Sequence, residues 1–263
     1  METRGREVGS MTTRIVAGIA GSLMLAALPG LLSPVQAQIF TDAEAELRVQ
    51  WIEMKRNMPQ HPSPAVQRYA QCIAWAIIDV IPEEFENLDW EVIVFDSGAR
   101  NASVTPEGKI AIFSGLLEVA NTPDKLAAVV GHEVSHLTQG HVKERVLRAA
   151  GTGIAGMVGG ILTGYYGESQ TAAEVALQLP YQRKQESEAD LTGMDFMARA
   201  GYNPTSVLEL WADMAGDAGR ESDWLSTHPE PRERRLDMAS HLTPALMLYN
   251  EALDSGVRPR CHL

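Results

Sequence analysis

The apolar positions of this chain change their period along its length, and the changes divide it into elements. After Ser63-Pro64, the residues Val66, Tyr69, Ala70, Ile73, Ile77 and Val80 follow helical spacing until Pro82, which predicts a helix with proline at its first position. Thr41-Asp42-Ala43-Glu44 reads as a capping box opening an earlier helix toward about Asn57, with Leu47, Val49, Trp51 and Met54 in its apolar content. Trp90 to Phe95 and Gly108 to Phe113 are β-rich runs with Asn101 to Val104 between them, and they imply a small antiparallel sheet. Thr122-Pro123-Asp124 supplies a cap, a first-turn proline and a first-turn acid for a helix carrying Leu126, Val129, Val130, Leu137 and Val146. Asn203-Pro204 opens another, whose Val207, Leu208, Leu210, Trp211 and Met214 read as core packing. The fold class is α+β and mainly helical, in one domain with no internal repeat or polar linker.

Two apolar stretches fit no amphipathic element. Arg14 precedes an apolar run from Ile15 to Leu32, and Val35-Gln36-Ala37 places small residues before a cleavage point. Residues 1–37 therefore read as an export signal cut after Ala37, which leaves 38–263 as the mature domain and the bacterial periplasm as its location. An uncleaved anchor is the alternative, although Gly18, Gly21, Pro29 and Gly30 interrupt the run. From Ala149 to Tyr166 there is no charge, and Gly156, Gly160 and Gly164 stand four apart. This stretch reads as a glycine-softened flap or a partner surface, with a membrane-inserted hairpin, and so membrane association, as the alternative.

The net charge of −12 makes nucleic acid a poor partner. The two cysteines, Cys72 and Cys261, would be free to pair after export, and spacing alone leaves that open.

The chemistry concentrates at His132-Glu133-Val134-Ser135-His136. Histidines four apart on a helix share a face and can offer two imidazoles to one zinc ion, and Glu133 then stands beside the water that a catalytic zinc site keeps. In that place it can serve as general base. A third ligand must come from elsewhere, and Glu186 and Asp190, four apart on a second predicted helix, are the best source. One of them can bind metal while the other hydrogen-bonds the outer nitrogen of a ligand histidine. His141 lies about 140° around an unbroken helix from His136 and should not share its face. His61, His241 and His262 have no motif context.

The order His132-Glu133-x-x-His136, then Glu186-x-x-Ala189-Asp190, then Thr227-His228-Pro229 with Arg234 beyond, resembles metallopeptidase family forty-eight, here in the form of a periplasmic member. The resemblance runs from about Val66 to about Leu236 and takes in Asn101-Ala102 and Arg199 to Pro204. It implies a gluzincin-type zinc metalloprotease domain in which His132, His136 and Glu186 hold one Zn2+, Glu133 is the catalytic base and Asp190 orients a ligand. His228 and Arg234 would lie near the zinc, stabilising an oxyanion, or, for His228, reversibly blocking the open position. Asn101 and Ala102 would form an edge beside the cleft, where an extended substrate adds as a strand. The implied function is a zinc-dependent endopeptidase acting on misfolded or unassembled cell-envelope proteins, with outer-membrane assembly machinery among its partners. The alternative is a periplasmic holdase whose zinc site is latent or autoinhibited.

Overall fold

The computed structural model describes residues 33–151, 172–216, 224, 228 and 232–263. The expected signal segment up to residue 32, most of the uncharged stretch before Tyr166, and the neighbours Thr227 and Pro229 lie outside the described residues.

At the centre is α3 (Pro123–Thr138), buried at every position from Lys125 to Leu137. Its predicted start is observed: Thr122 accepts a hydrogen bond from the Lys125 amide at 3.3 Å, and Pro123 follows. A helix enclosed this fully keeps its polar side chains only if they satisfy one another. In α3 those side chains are Lys125, paired with Asp213, and the motif residues. The helix is enclosed by α2 (Pro64–Ile78), α5 (Ala172–Arg199), α6 (Ser206–Gly216) and strand β2 (Ala102–Val104), while α7 (Arg232–Asp254) packs on α5 and α1 (Pro34–Asn57) on α4 (His141–Gly151).

The crossing of α3 and α5 requires glycine on both sides. A Cβ on Gly131 would stand 2.8 Å from the Gly193 carbonyl oxygen, and one on Gly193 would stand 2.8 Å from the His132 amide nitrogen. The missing side chains let the two backbones touch one residue from His132. That contact brings the α5 carboxylates within reach of the α3 imidazoles.

Helix α1 begins at Pro34, earlier than the expected start at Thr41. The Thr41 hydroxyl donates to the Ala37 carbonyl at 3.0 Å, so it lies inside the helix and caps nothing. Propagating an existing helix adds a backbone bond per residue and outweighs a local capping signal. Its core face is Leu47, Trp51 and Met54, while Val49 points outward and is half exposed.

The sheet is mixed, a correction to the antiparallel expectation. Its order is β1 (Glu91–Phe95), β3 (Lys109–Phe113), β2, with β1 parallel to β3 and β2 antiparallel to β3. Ile110, Ala111 and Ile112 are wholly buried, so β3 takes the middle and the short Ala102–Val104 strand takes an edge. Two successive reversals of direction then leave β1 and β3 running the same way. The outer edge of β1 is closed by a backbone bridge between Gln60 and Phe95 and by side chains of α2: Gln67 both donates to the Val94 carbonyl (2.7 Å) and accepts from its amide (2.9 Å), and Gln71 donates to the Val92 carbonyl.

Cys72 and Cys261 form a disulfide that ties α2 to the C-terminal tail. None of the described helices is long and apolar enough to cross a membrane.

Candidate metal centre

Four buried side chains, His132, His136, Glu186 and His228, converge with one ligand atom each, all within 4.8 Å of one another. His132 Nε2 lies 3.1 Å from His136 Nε2 and 3.2 Å from His228 Nδ1. Glu186 reaches all three rings, with Oε1 3.3 Å from His136 Nε2 and Oε2 3.4 Å from His132 Nε2 and 2.9 Å from His228 Nδ1. A neutral imidazole offers one donor and one acceptor, so three rings facing a carboxylate cannot occupy every lone pair that meets there. A divalent cation suits that donor set.

Around the cluster is a second layer of partners. Asp190 Oδ1 stands 3.0 Å from His132 Nδ1, and both Asp190 oxygens accept from Arg234, at 2.7 Å from Nε and 2.8 Å from Nη2. The Arg234 guanidinium also reaches Glu186 at 3.2 Å and lies over the Trp211 ring, 4.7 Å from its centroid. Arg234 is therefore held by the carboxylates behind the cluster. Trp211, read from sequence as core, also forms the floor on which this buried cation rests. Burial opposes charge on His132, but Asp190 and Glu186 outweigh it and raise the imidazole to about 9. Burial also works against the Glu186 carboxylate, yet the imidazoles of His228, His136 and His132 hold it well below the usual range. For His136, burial and the Arg145 charge act together and push it well below its ordinary value.

Glu133 is buried beside the cluster; its Oε1 has no hydrogen-bond partner, with His228 Nε2 at 3.3 Å. Ala102 opens the edge strand β2, and Asn101 precedes it. Asn101 is buried, with its side chain turned onto the Ala102 amide and its carbonyl accepting from Phe113. One residue earlier, the Arg100 carbonyl accepts from the Trp224 amide at 2.9 Å, so Trp224 is bonded just ahead of this edge.

The expectation for His141 is overturned. Gly140 adopts φ 77°, α3 stops at Thr138, and α4 begins at His141, so the helix is not continuous and the ring turns back to His136, with Nδ1 atoms 3.1 Å apart. The signal was present in Gly140, since glycine past a helix end marks a left-handed cap. Trp224 was missed altogether. It is fully buried, stacked on His228 at 4.2 Å and 5.3 Å from His132, and only its spacing of four from His228 hinted at this.

The profile of peptidase family M48 matches residues 64–242, a span that contains every residue of this centre. The chain belongs to peptidase family M48. Among curated proteins, this M48 chain is 36% identical over 173 residues to the mitochondrial metalloendopeptidase OMA1 of Arabidopsis thaliana, covering 63% of this chain and 35% of that protein. It is 26% identical over 215 residues to the metalloprotease LoiP of Escherichia coli, covering 78% and 84%. It is 30% identical over 145 residues to a Vibrio cholerae protein provisionally named a beta-barrel assembly-enhancing protease, covering 49% and 30%. The chain spans between about a third and a half of the length of its OMA1 relatives from plant and yeasts.

Proposed function

We propose that this M48 protein is a zinc-dependent endopeptidase that hydrolyses misfolded or unassembled polypeptides of the cell envelope. The observation that carries the reading is the convergence of His132, His136 and Glu186 beside the buried Glu133 carboxylate. Ligand atoms bound at about 2.0–2.1 Å to a tetrahedral zinc stand about 3.3 Å from one another. The two imidazole Nε2 atoms stand 3.1 Å apart, near that spacing, and the Glu186 carboxylate meets the two rings through different oxygens at 3.3 and 3.4 Å.

In this reading His132, His136 and Glu186 are the ligands. Asp190 Oδ1, 3.0 Å from His132 Nδ1, would take the Nδ1 proton and so fix the tautomer that turns Nε2 to the cation, and Arg234 fixes Asp190 in turn. Zinc, when bound, supplies the Lewis acid that polarises the scissile carbonyl and lowers the pKa of a water. Glu133 takes the proton of the attacking water and returns it to the leaving amine. The β2 edge at Asn101-Ala102 would pair with an extended substrate through the backbone, which suits unfolded chains of varied sequence.

Location in the periplasm is part of the proposal. It is supported by the basic and apolar start of the chain and by the Cys72–Cys261 bond, which an oxidising compartment maintains. A connection to outer-membrane assembly is supported by the name of the Vibrio cholerae relative.

A second reading, a holdase with a latent site, is favoured by the position of His228. Its Nδ1 approaches both His132 and Glu186 and so fills the place of a fourth ligand. The deciding experiment is a time course of cleavage of an unfolded protein by the zinc-loaded chain, comparing wild type with Glu133→Gln. Cleavage by wild type alone supports the peptidase. Suppression of aggregation by both proteins, without cleavage by either, supports the holdase.

A further inference from the structure

His136 has an outer partner that the zinc-peptidase reading does not use. Its Nε2 faces the cluster, so in the metal-bound state the lone pair belongs to Nε2 and the ring proton to Nδ1. That proton needs an acceptor inside a buried site, and His141 Nδ1 lies 3.1 Å away. If His141 accepts there, its own proton sits on Nε2, and Glu188 Oε2 receives it at 3.2 Å. Every ring proton then has a place, in the order His136 Nδ1–H to His141 Nδ1, and His141 Nε2–H to Glu188.

Arg145 imposes the opposite arrangement. It is one turn beyond His141 on α4, and its Nη2 stands 2.8 Å from the same His136 Nδ1. A guanidinium only donates, so this contact requires a lone pair on Nδ1 and puts the ring proton on Nε2, pointed into the cluster. A protonated Nε2 cannot ligate a metal. Arg145 donation and metal binding at His136 therefore exclude each other, and His141 is the neighbour that supports the ligating tautomer.

We propose that His141, backed by Glu188, is a positioning residue for His136, and that Arg145 competes with it for His136 Nδ1. The arrangement depends on Gly140, whose left-handed conformation ends α3 and aims α4 so that both His141 and Arg145 face back to the same ring. The exposed Glu188 carboxylate, 44% accessible, closes the series at the surface.

This inference rests on the metal-site reading, and the test separates the two. The full chain is stripped of metal and titrated with Zn2+ against a chromophoric chelator, and thermal unfolding of each metal-free variant is recorded. Loss of an outer partner of this kind weakens metal binding by roughly 10- to 100-fold, and that is the expected effect of His141→Phe. His141→Asn, whose amide oxygen can stand near the lost Nδ1, should recover most of the affinity. Arg145→Gln should bind at least as tightly as wild type. Should His141→Phe fail to fold, Glu188→Ala carries the test at an exposed position, with a severalfold weakening expected. Wild-type affinity in His141→Phe, in the presence of a wild type that binds zinc, overturns the inference alone. So does equal weakening in His141→Phe and His141→Asn, or a loss in Arg145→Gln as large as in His141→Phe. A wild type that binds no zinc overturns the metal-site reading and this inference together.

Discussion

Trp224 lies stacked on His228, ring centroids 4.2 Å apart and planes inclined by 29°, and the stack holds the imidazole between Glu133 and Glu186. The Trp224 amide is bonded to the Arg100 carbonyl, so Trp224 meets both the metal cluster and the start of the β2 edge. In the proposed reading both places receive substrate. His228→Ala should therefore raise the initial rate of cleavage of an unfolded protein severalfold while weakening zinc binding, measured on the same preparation. A fall in rate with unchanged zinc affinity would place His228 among the groups that assist the reaction.

The α3–α5 crossing sets the distance between imidazoles and carboxylates. Gly193→Ala puts a methyl group against the His132 backbone, and overpacking of this kind costs about 1–3 kcal/mol. We expect a lower denaturation midpoint together with weaker zinc binding, because the strain falls beside His132. Gly98→Ala meets no atom within 4 Å and serves as the control. Equal zinc affinity in Gly193→Ala and wild type would show that the crossing does not govern the site.

Arg234 is the buried cation among Asp190, Glu186 and the Trp211 face. Arg234→Met leaves both carboxylates short of a partner, and breaking a buried pair in this way costs about 3–5 kcal/mol. Arg234→Lys keeps the charge but cannot reproduce the two-toothed contact with Asp190, and should recover only part of the loss. Urea unfolding of the two variants tests this. Arg234→Met as stable as wild type would mean that Asp190 and Glu186 need no counter-charge.

The disulfide joins residues separated by 189 positions. Closing so long a loop restricts the unfolded chain, and Cys261→Ser should lower stability by about 2–5 kcal/mol. The expected signature is a reduced melting temperature that a thiol reductant also produces in wild type. No change with reductant would indicate that the bond contributes little to the fold.

Much of the site was legible in the residues themselves. Spacing on a helix made His132 and His136 partners and put Glu133 beside them, and the Thr122-Pro123 start of that helix is observed. Glu186 and Asp190 were found as a pair, and only family resemblance separated their roles. The structure places Glu186 in the cluster and Asp190 behind His132. Helical period is a local property, so it survives being read along one strand of text.

What the sequence by itself determined, then, are most of the helices, the Thr122 cap, the motif and the apolar faces, because each depends on residues a few positions apart. Only the tertiary structure decided the rest. It decided that β1 and β3 are parallel, since strand order depends on which run is best enclosed. It paired Cys72 with Cys261 across most of the chain. It broke the helix at Gly140 and so returned His141 to His136, a reversal that a continuous helix forbids. It also laid Trp224 against His132, a contact between residues far apart in the chain. Contacts of that range are set by how whole faces pack and which polar groups must be satisfied inside, and no local period encodes them.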